Sequence, residues 1–509
     1  MEDTVITRPE MSFSAADIYL AFTMIVCGFL YWNLIHLYMF GAGVTAFAAV
    51  LFAVSFIYLS RSGIKQNPRS LTCLVLAGLS AAQFLIFDNQ FISGLNFIFL
   101  SALFIYWICL TTGRRIDKEL CVYIIGDAVK QGLSVTFLNF GCCASGVKSC
   151  FKHRRLKGIL SAIIGLLIFL PLIAAVIGLL MSADLAFENF ISRVSDFIRI
   201  EKVWVYIWQF VIGMPVAFYL YGSIYGNAKG RNIDRITAAS VDKAARIIKI
   251  APKVTIYSAL TVFNIIYFVF FAVQAVYLFS AFGGNLPEAF TYAEYARRGF
   301  FELCAVSGIN LGVFIITNLT LKREKGEDPK MLRVETILIS LFTILLIATA
   351  LSKMAMYISA YGLTELRVFT SWFMMLLLFV FCVICFRQIK KFNSARVVIV
   401  GFVFMFLVLS YSNVDGLIAK YNISRYESGT LSTFDIDMIN DLSDAAVPHI
   451  YGLYLRTDEN DFGMRQRPAL TIISGGSHGA GGFREFYFQR NQADKIRDLI
   501  GNPQLSFSE

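Results

Sequence analysis

The sequence predicts an all-α, polytopic transmembrane helical bundle of about 11 spans, with its N-terminus inside and a small α-rich extracytoplasmic tail at its C-terminus. Three observations predict it. Of the 509 residues, 57% are apolar and only 16% are charged. The mean hydropathy of +0.65 exceeds what a soluble fold of this length tolerates. Lys and Arg gather on every second connection between the apolar runs.

The runs fall at roughly 16–39, 41–60, 70–88, 92–112, 158–182, 203–226, 254–282, 299–320, 334–357, 368–386 and 397–413. Each approaches or exceeds the roughly 20 residues that a helix needs to cross a hydrocarbon core of about 30 Å. None alternates with period two, so a closed barrel is excluded and helices are the remaining way to satisfy the backbone in lipid. Residues 1–413 therefore form the bundle, with cytoplasmic connections at 113–157 and 227–253, and residues 414–509 form the exported tail.

Orientation follows from the basic residues. Arg61, Lys65 and Arg69 lie between the second and third runs, and nine Lys or Arg lie from Arg114 to Lys157. Seven lie from Lys229 to Lys253, five from Lys322 to Arg333, and Arg387, Lys390, Lys391 and Arg396 precede the last run. The alternate connections hold only Arg193, Arg199 and Lys202, then Arg297 and Arg298, then Arg367. The rich set faces the cytoplasm by the positive-inside bias. The net charge of +10 is thus topological, suited to anionic lipid headgroups and not to nucleic acid. The first run follows the acidic residues Glu2, Asp3 and Glu10 and lacks a small-residue cleavage site, so a permanent span is expected in place of a cleaved signal. The ten cysteines lie in spans or on the cytoplasmic side, which implies no disulfide framework.

Outside the runs, the first long connection holds Cys142, Cys143, Cys150 and His153. These could ligate zinc, although the spacing matches no familiar knuckle, and small cysteines beside glycine equally suit an interfacial turn. Asn227 to Pro252 reads as an amphipathic surface helix, with Ile233, Ile236, Ile247 and Ile248 on one side and Arg235, Arg246 and Lys249 on the other. In the tail, Thr430 to Asp444 reads as a helix with a solvated acidic face, Ser474 to Gly482 as a flexible glycine-rich turn, and about Arg484 to Ile500 as a final amphipathic helix.

Ionisable groups at membrane depth carry the functional reading, because charge in lipid is costly and needs compensation. Tyr292, Glu294, Tyr295, Arg297, Arg298 and Glu302 surround the start of the eighth run. Helical spacing places Glu294, Arg298 and Glu302 on one face. Lys353 and the segment with Tyr361, Glu365 and Arg367 lie at a similar depth. The group reads either as the outer mouth of a site for a small polar solute or lipid headgroup, or as a structural clamp between spans. Asn264, Gln274, Asn310 and Asn318 add polar positions nearby. There is no His-Glu-x-x-His, no Gly-x-Ser-x-Gly and no cofactor box, and His36 in the first run suits helix packing. No catalytic residue and no cofactor is assigned, and no internal repeat supports an inverted-repeat transporter.

The strings from Phe290 to Leu303 (FTYAEYARRGFFEL), Tyr361 to Arg367 (YGLTELR), Tyr421 to Tyr426 (YNISRY) and Asp444 to Pro448 (DAAVP) resemble signatures of membrane proteins grouped as domains of unknown function 4153 and 4173. The resemblance covers roughly residues 160–450. It implies a bacterial cytoplasmic membrane and supports the topology, but it implies no activity. The expected function is permease-like handling of a small polar solute or lipid. A sensor or envelope-assembly partner is the alternative, and an envelope-modifying enzyme using Glu302 or Glu294 is a third.

Overall fold

The computed structural model describes residues 12–35, 40–117, 119–150, 169, 172–173, 175–184, 186–187, 200–233, 235–282, 299–322, 330–431, 439, 441–456, 472 and 482–501. Among the described residues, ten helices are long and apolar enough to cross a membrane. They lie in α1 (Ala15–Leu34), α2 (Ala42–Arg61), α3 (Pro68–Ile86), α4 (Gln90–Thr112), α6 (Ile200–Lys229), α8 (Lys253–Phe282), α9 (Phe300–Thr320), α10 (Lys330–Tyr361), α11 (Glu365–Ile389) and α12 (Ser394–Tyr411). The expected run at 158–182 lies largely outside the described residues. Shorter helices are α5 (Cys142–Cys150), α7 (Ala238–Ile248), α13 (Val414–Glu427), α14 (Val447–Arg456) and α15 (Phe488–Gly501).

The helix starts follow from side chains that satisfy free backbone N–H groups. Ser14 and Asp17 cap α1 reciprocally, Asn67 and Ser70 do the same for α3 with Pro68 in its first turn, and Thr364 caps α11. The ends of α10 and α11 reach beyond the apolar runs at 334–357 and 368–386, because capped turns and flanking Lys, Arg and Tyr continue the helix into the headgroup layer.

Two helix groups share the bundle. In the first, α1 to α4, α5 and the C-terminal half of α6 enclose Met24, Leu59, Phe84, Trp107, Tyr221 and Ile224. In the second, α8 to α11 enclose Phe300, Ile347, Met374 and Phe381, with Leu260, Tyr267 and Leu346. Helix α12 joins them: Tyr411 donates to the Leu79 carbonyl at 2.6 Å, Phe406 packs on Phe99, and the Met405 carbonyl accepts from Trp372 Nε1 at 3.1 Å. The tail has its own small core, where Ala419 and Ile423 of α13 meet Val447, Ile450 and Leu453 of α14 and Ala493 of α15.

The connection after α4 departs from the expected interfacial turn. Residues 124–138 form an irregular helical run with a π-helical stretch, Lys130–Val135, and the cysteines open α5. This segment packs into the bundle because glycines admit it. A Cβ at Gly222 would lie 2.4 Å from the Thr136 carbonyl oxygen. Lys130 is buried and donates to the Arg114 carbonyl at 3.2 Å. Helix α7 instead exposes Ile247 and Ile248 and buries none of its residues, which fits a helix lying on the membrane surface.

Candidate functional site

The residues expected at the outer mouth separate into distinct places. Tyr292, Glu294, Tyr295, Arg297 and Arg298 lie outside the described residues. Glu302, in the first turn of α9, interacts electrostatically with Lys353 of α10. The Lys353 ammonium lies beside Gly299, where a Cβ would sit 3.1 Å from Nζ. Gly299 has a φ of 91°, a left-handed conformation suited to glycine.

Arg367 and Tyr361 build a clamp. The Arg367 guanidinium sits 4.1 Å from the centre of the Tyr357 ring and donates to the carbonyls of Tyr361 and Gly362. It therefore neutralises the C-terminus of α10, where unpaired carbonyls concentrate negative potential. Asn422 fixes the same turn, accepting from Leu363 N at 2.7 Å and donating back to the Leu363 carbonyl at 2.8 Å.

A line of polar groups crosses the second helix group. At its inner end Glu335 is 6% exposed; Thr261 donates to one carboxylate oxygen at 2.8 Å and Asn264 to the other. The Asn264 Oδ1 is buried and without a hydrogen-bond partner among the described residues. Further along, Tyr267 donates to Asn310 Oδ1, and Asn310 Nδ2 donates to Thr343 at 2.8 Å. Ser307, Asn310, Ser340 and Thr343 are all fully buried. On α10 the interval from Arg333 to Lys353 corresponds to about 30 Å of helix, the thickness of the hydrocarbon layer. Glu335 thus lies near the boundary at the N-terminal end of α10, Asn310 and Thr343 near the middle, and Glu302 with Lys353 near the opposite boundary.

A second polar cluster forms where three turns at one end of the bundle meet the tail. Asn89 Nδ2 donates to Glu365 at 2.6 Å and to both oxygens of Asp415 at 3.0 and 3.1 Å. Asp415 also accepts from Ser443 N at 3.3 Å, and Gln489 of α15 donates to Asn413 at 2.8 Å. Beside them, the Asp88 carboxylate accepts from Asp444 N at 3.3 Å. Burial, together with the negative charges of Asp444 and Asp415, pushes the Asp88 carboxyl up to about 7 against the opposing hydrogen bond from Tyr487. Asp444 is in turn held by Arg497 at 2.6 Å.

The cytoplasmic cysteines are not brought together. Cys142 and Cys143 are buried, with the Cys143 thiol directed at the Ala21 carbonyl, while Cys150 is exposed at the far end of α5. His153 lies outside the described residues. Among the described residues no three His, Cys, Asp or Glu side chains group as metal ligands. Burial pushes the Cys143 thiol up to about 12, so it is a packing thiol.

Sequence reasoning named Asn264 and Asn310 but missed Glu335, Asp88, Asn89 and Asp415. Glu335 stands two residues from Arg333 and so resembles a solvated helix flank. The available signal was the recurrence of Thr336, Ser340 and Thr343 behind it at helical spacing. Asn89 and Asp415 are 326 positions apart, and no local pattern joins them.

No curated protein and no solved structure matches this chain. A family described as a domain of unknown function matches residues 71–453, extending the likeness from about residue 160 back to α3. With an all-α membrane bundle and three-quarters of its length inside that match, the chain belongs to the DUF4153 family.

Proposed function

We propose that this protein is a permease-like carrier for a small polar solute or lipid headgroup in the bacterial cytoplasmic membrane. The supporting observation is the polar line between α8, α9 and α10, from Glu335 through Asn264, Tyr267, Asn310 and Thr343 towards Glu302 and Lys353. Helix association alone is a weak reason to keep such groups, since interhelical hydrogen bonds in membranes average only about 0.6 kcal/mol. An intramembrane carboxylate held by two neutral donors is suited to binding and releasing a proton or cation. In this reading Glu335 carries the coupling charge, Asn310 holds the solute near the midplane, and Glu302 with Lys353 receives it outside.

The test is solute-driven proton movement in proteoliposomes containing a trapped pH dye, with amino acids, polyamines and sugars supplied in turn. Wild-type vesicles should respond to at least one class. Glu335→Gln should abolish the response while its abundance and melting temperature stay near wild type. Wild-type and Glu335→Gln vesicles that behave alike across the panel overturn the reading. A sensor or assembly role is the second reading, favoured by the docking of the tail on the outer turns through Asp88, Asp415 and Gln489.

A further inference from the structure

The end of the bundle away from the tail carries a separate inference, independent of the transport reading because none of its residues belongs to the polar line. A half-open cavity of about 580 Å³ lies between the first turn of α3 and the last turn of α4, with Arg69, Arg115 and Asp117 as its charged lining and Pro68, Leu110 and Ile116 as its apolar lining. Small-molecule sites span about 300–1,000 Å³. Helix α3 has 19 residues, so its first turn stands about 28 Å from its last, close to one hydrocarbon thickness. The α3–α4 turn meets the tail at one membrane boundary, through Asp88 and Gln489. The cavity therefore opens at the other boundary, at the level of the lipid phosphates.

Its walls are built before any ligand arrives. Asn67 caps α3 by accepting from Ser70 N at 2.9 Å, and its Nδ2 donates to the Leu110 carbonyl at 2.8 Å, which ties the two helix ends together. On the far side Ile116 N donates to the buried Asp127 at 2.8 Å, and Lys130 and Gln131 both donate to the Arg114 carbonyl. The charge around the cavity is positive on balance: segments 61–69 and 113–119 bring Arg61, Lys65, Arg69, Arg114 and Arg115 against the acids Asp117 and Glu119.

We propose that this cavity binds the headgroup of a glycerophospholipid, with Arg69 and Arg115 on the phosphate and Asp117 accepting from an ammonium or hydroxyl of the same headgroup. Basic pockets between spans at the headgroup layer suit lipid phosphates, and a guanidinium can engage two phosphate oxygens at once. A carboxylate opposes a bare phosphate, so Asp117 selects a headgroup that also donates hydrogen bonds. The Cys121 thiol lies 3.2 Å from Asp117 Oδ2 and helps to orient that carboxylate. Pro68, Leu110 and Ile116 point to a lipid as the source, because they gain from covering the glycerol and first acyl carbons and gain nothing from a free phosphate ion.

The experiment uses the full-length protein, delipidated in detergent and titrated with phosphatidylethanolamine, phosphatidylglycerol, phosphatidylcholine or inorganic phosphate. Bound adducts are counted by native mass spectrometry, with melting temperature as a second readout. Phosphatidylethanolamine and phosphatidylglycerol should each give one saturable adduct, and phosphatidylcholine, whose headgroup has no donor, should bind about tenfold more weakly. Arg69→Gln and Arg115→Gln should each weaken the adduct about tenfold. Arg69→Lys, which keeps the charge but not the fork, should fall between. Asp117→Asn should narrow the preference over phosphatidylcholine. Arg61→Gln and Lys65→Gln remove the same charge outside the cavity and should leave binding unchanged. Should the half-buried Arg115→Gln fail to accumulate, the exposed Arg69 decides the matter alone. The absence of a saturable adduct overturns the proposal, as does equal binding of the three lipids. Equal loss from Lys65→Gln and Arg69→Gln marks diffuse charge and overturns it as well. Inorganic phosphate that displaces the lipid assigns the cavity to a soluble anion and overturns the lipid assignment.

Discussion

Asp88 makes the junction of the α3–α4 turn with the tail sensitive to pH in a direction fixed by its surroundings. Its carboxyl titrates at about 7 in the folded protein, against about 3.9 for an ordinary Asp. The folded state therefore holds a proton that the unfolded state releases. The stabilisation is complete below about pH 4 and is lost as pH rises through 7. The groups that face it set this balance: Tyr487, just before α15, with Arg490 near it, Asp444 of the tail and Asp415 of α13. Hydrogen-exchange protection of residues 482–501, taken relative to the intrinsic base-catalysed rate at each pH, should be greater at pH 5 than at pH 8, and Asp88→Asn should flatten that dependence. At this scale the sequence was partly legible. Glu302 and Lys353 are near enough to interact electrostatically, and the Arg367 segment is a structured turn. Glu365, however, leaves that segment for Asn89, because hydrogen-bond partners 276 positions apart are decided by helix packing and leave no trace in spacing.

Helix α1 and helix α6, whose side chains share one core, also meet backbone to backbone at Gly28 and Gly213. A Cβ at Gly28 would stand 2.3 Å from the Gly213 carbonyl oxygen, and one at Gly213 would stand 2.5 Å from that of Gly28. In lipid, where apolar surface gains little from burial, such close approach lets packing and dipole contacts hold helices together. Gly28→Leu should therefore cost about 1–3 kcal/mol or more through forced separation, read as a lower melting temperature and reduced membrane abundance. Gly78→Ala, on a helix face with nothing within 4 Å, should leave both unchanged. Helices of this kind were the most legible part of the chain, since a long apolar run has one physical solution in a bilayer. Their ends were less so, because caps such as Thr364 and anchors such as Tyr361 extend a helix past its apolar centre. An amphipathic stretch was legible between Asp117 and Lys157, but the burial of the helical run at 124–138 was not, because it depends on Gly222 and Gly226, about ninety residues away.

Across the whole molecule, the tail closes over both helix groups. Gln489 accepts from Asp88 N at 3.1 Å, the Phe486 carbonyl accepts from Ala42 N at 2.9 Å, and Arg484 donates to the Asn33 carbonyl at 3.3 Å. Arg497 secures it from within, bound to Asp444, Asp494 and the Ile472 carbonyl. Its charge is only 13% exposed, as is that of Asp444. Arg497→Met strands a half-buried carboxylate beside Asp88 and should cost about 3–5 kcal/mol locally. Limited proteolysis should then cut the tail faster, while the melting of α1–α4 stays close to wild type. The contact between Asp88 and Gln489 joins positions 401 residues apart. A ribosome adding about 5–20 residues per second needs roughly 20–80 s to cover that interval. For that time Asp88, in the turn between α3 and α4, lacks the contacts that Gln489 and Asp444 supply, and only a chain translated almost to its end can provide them.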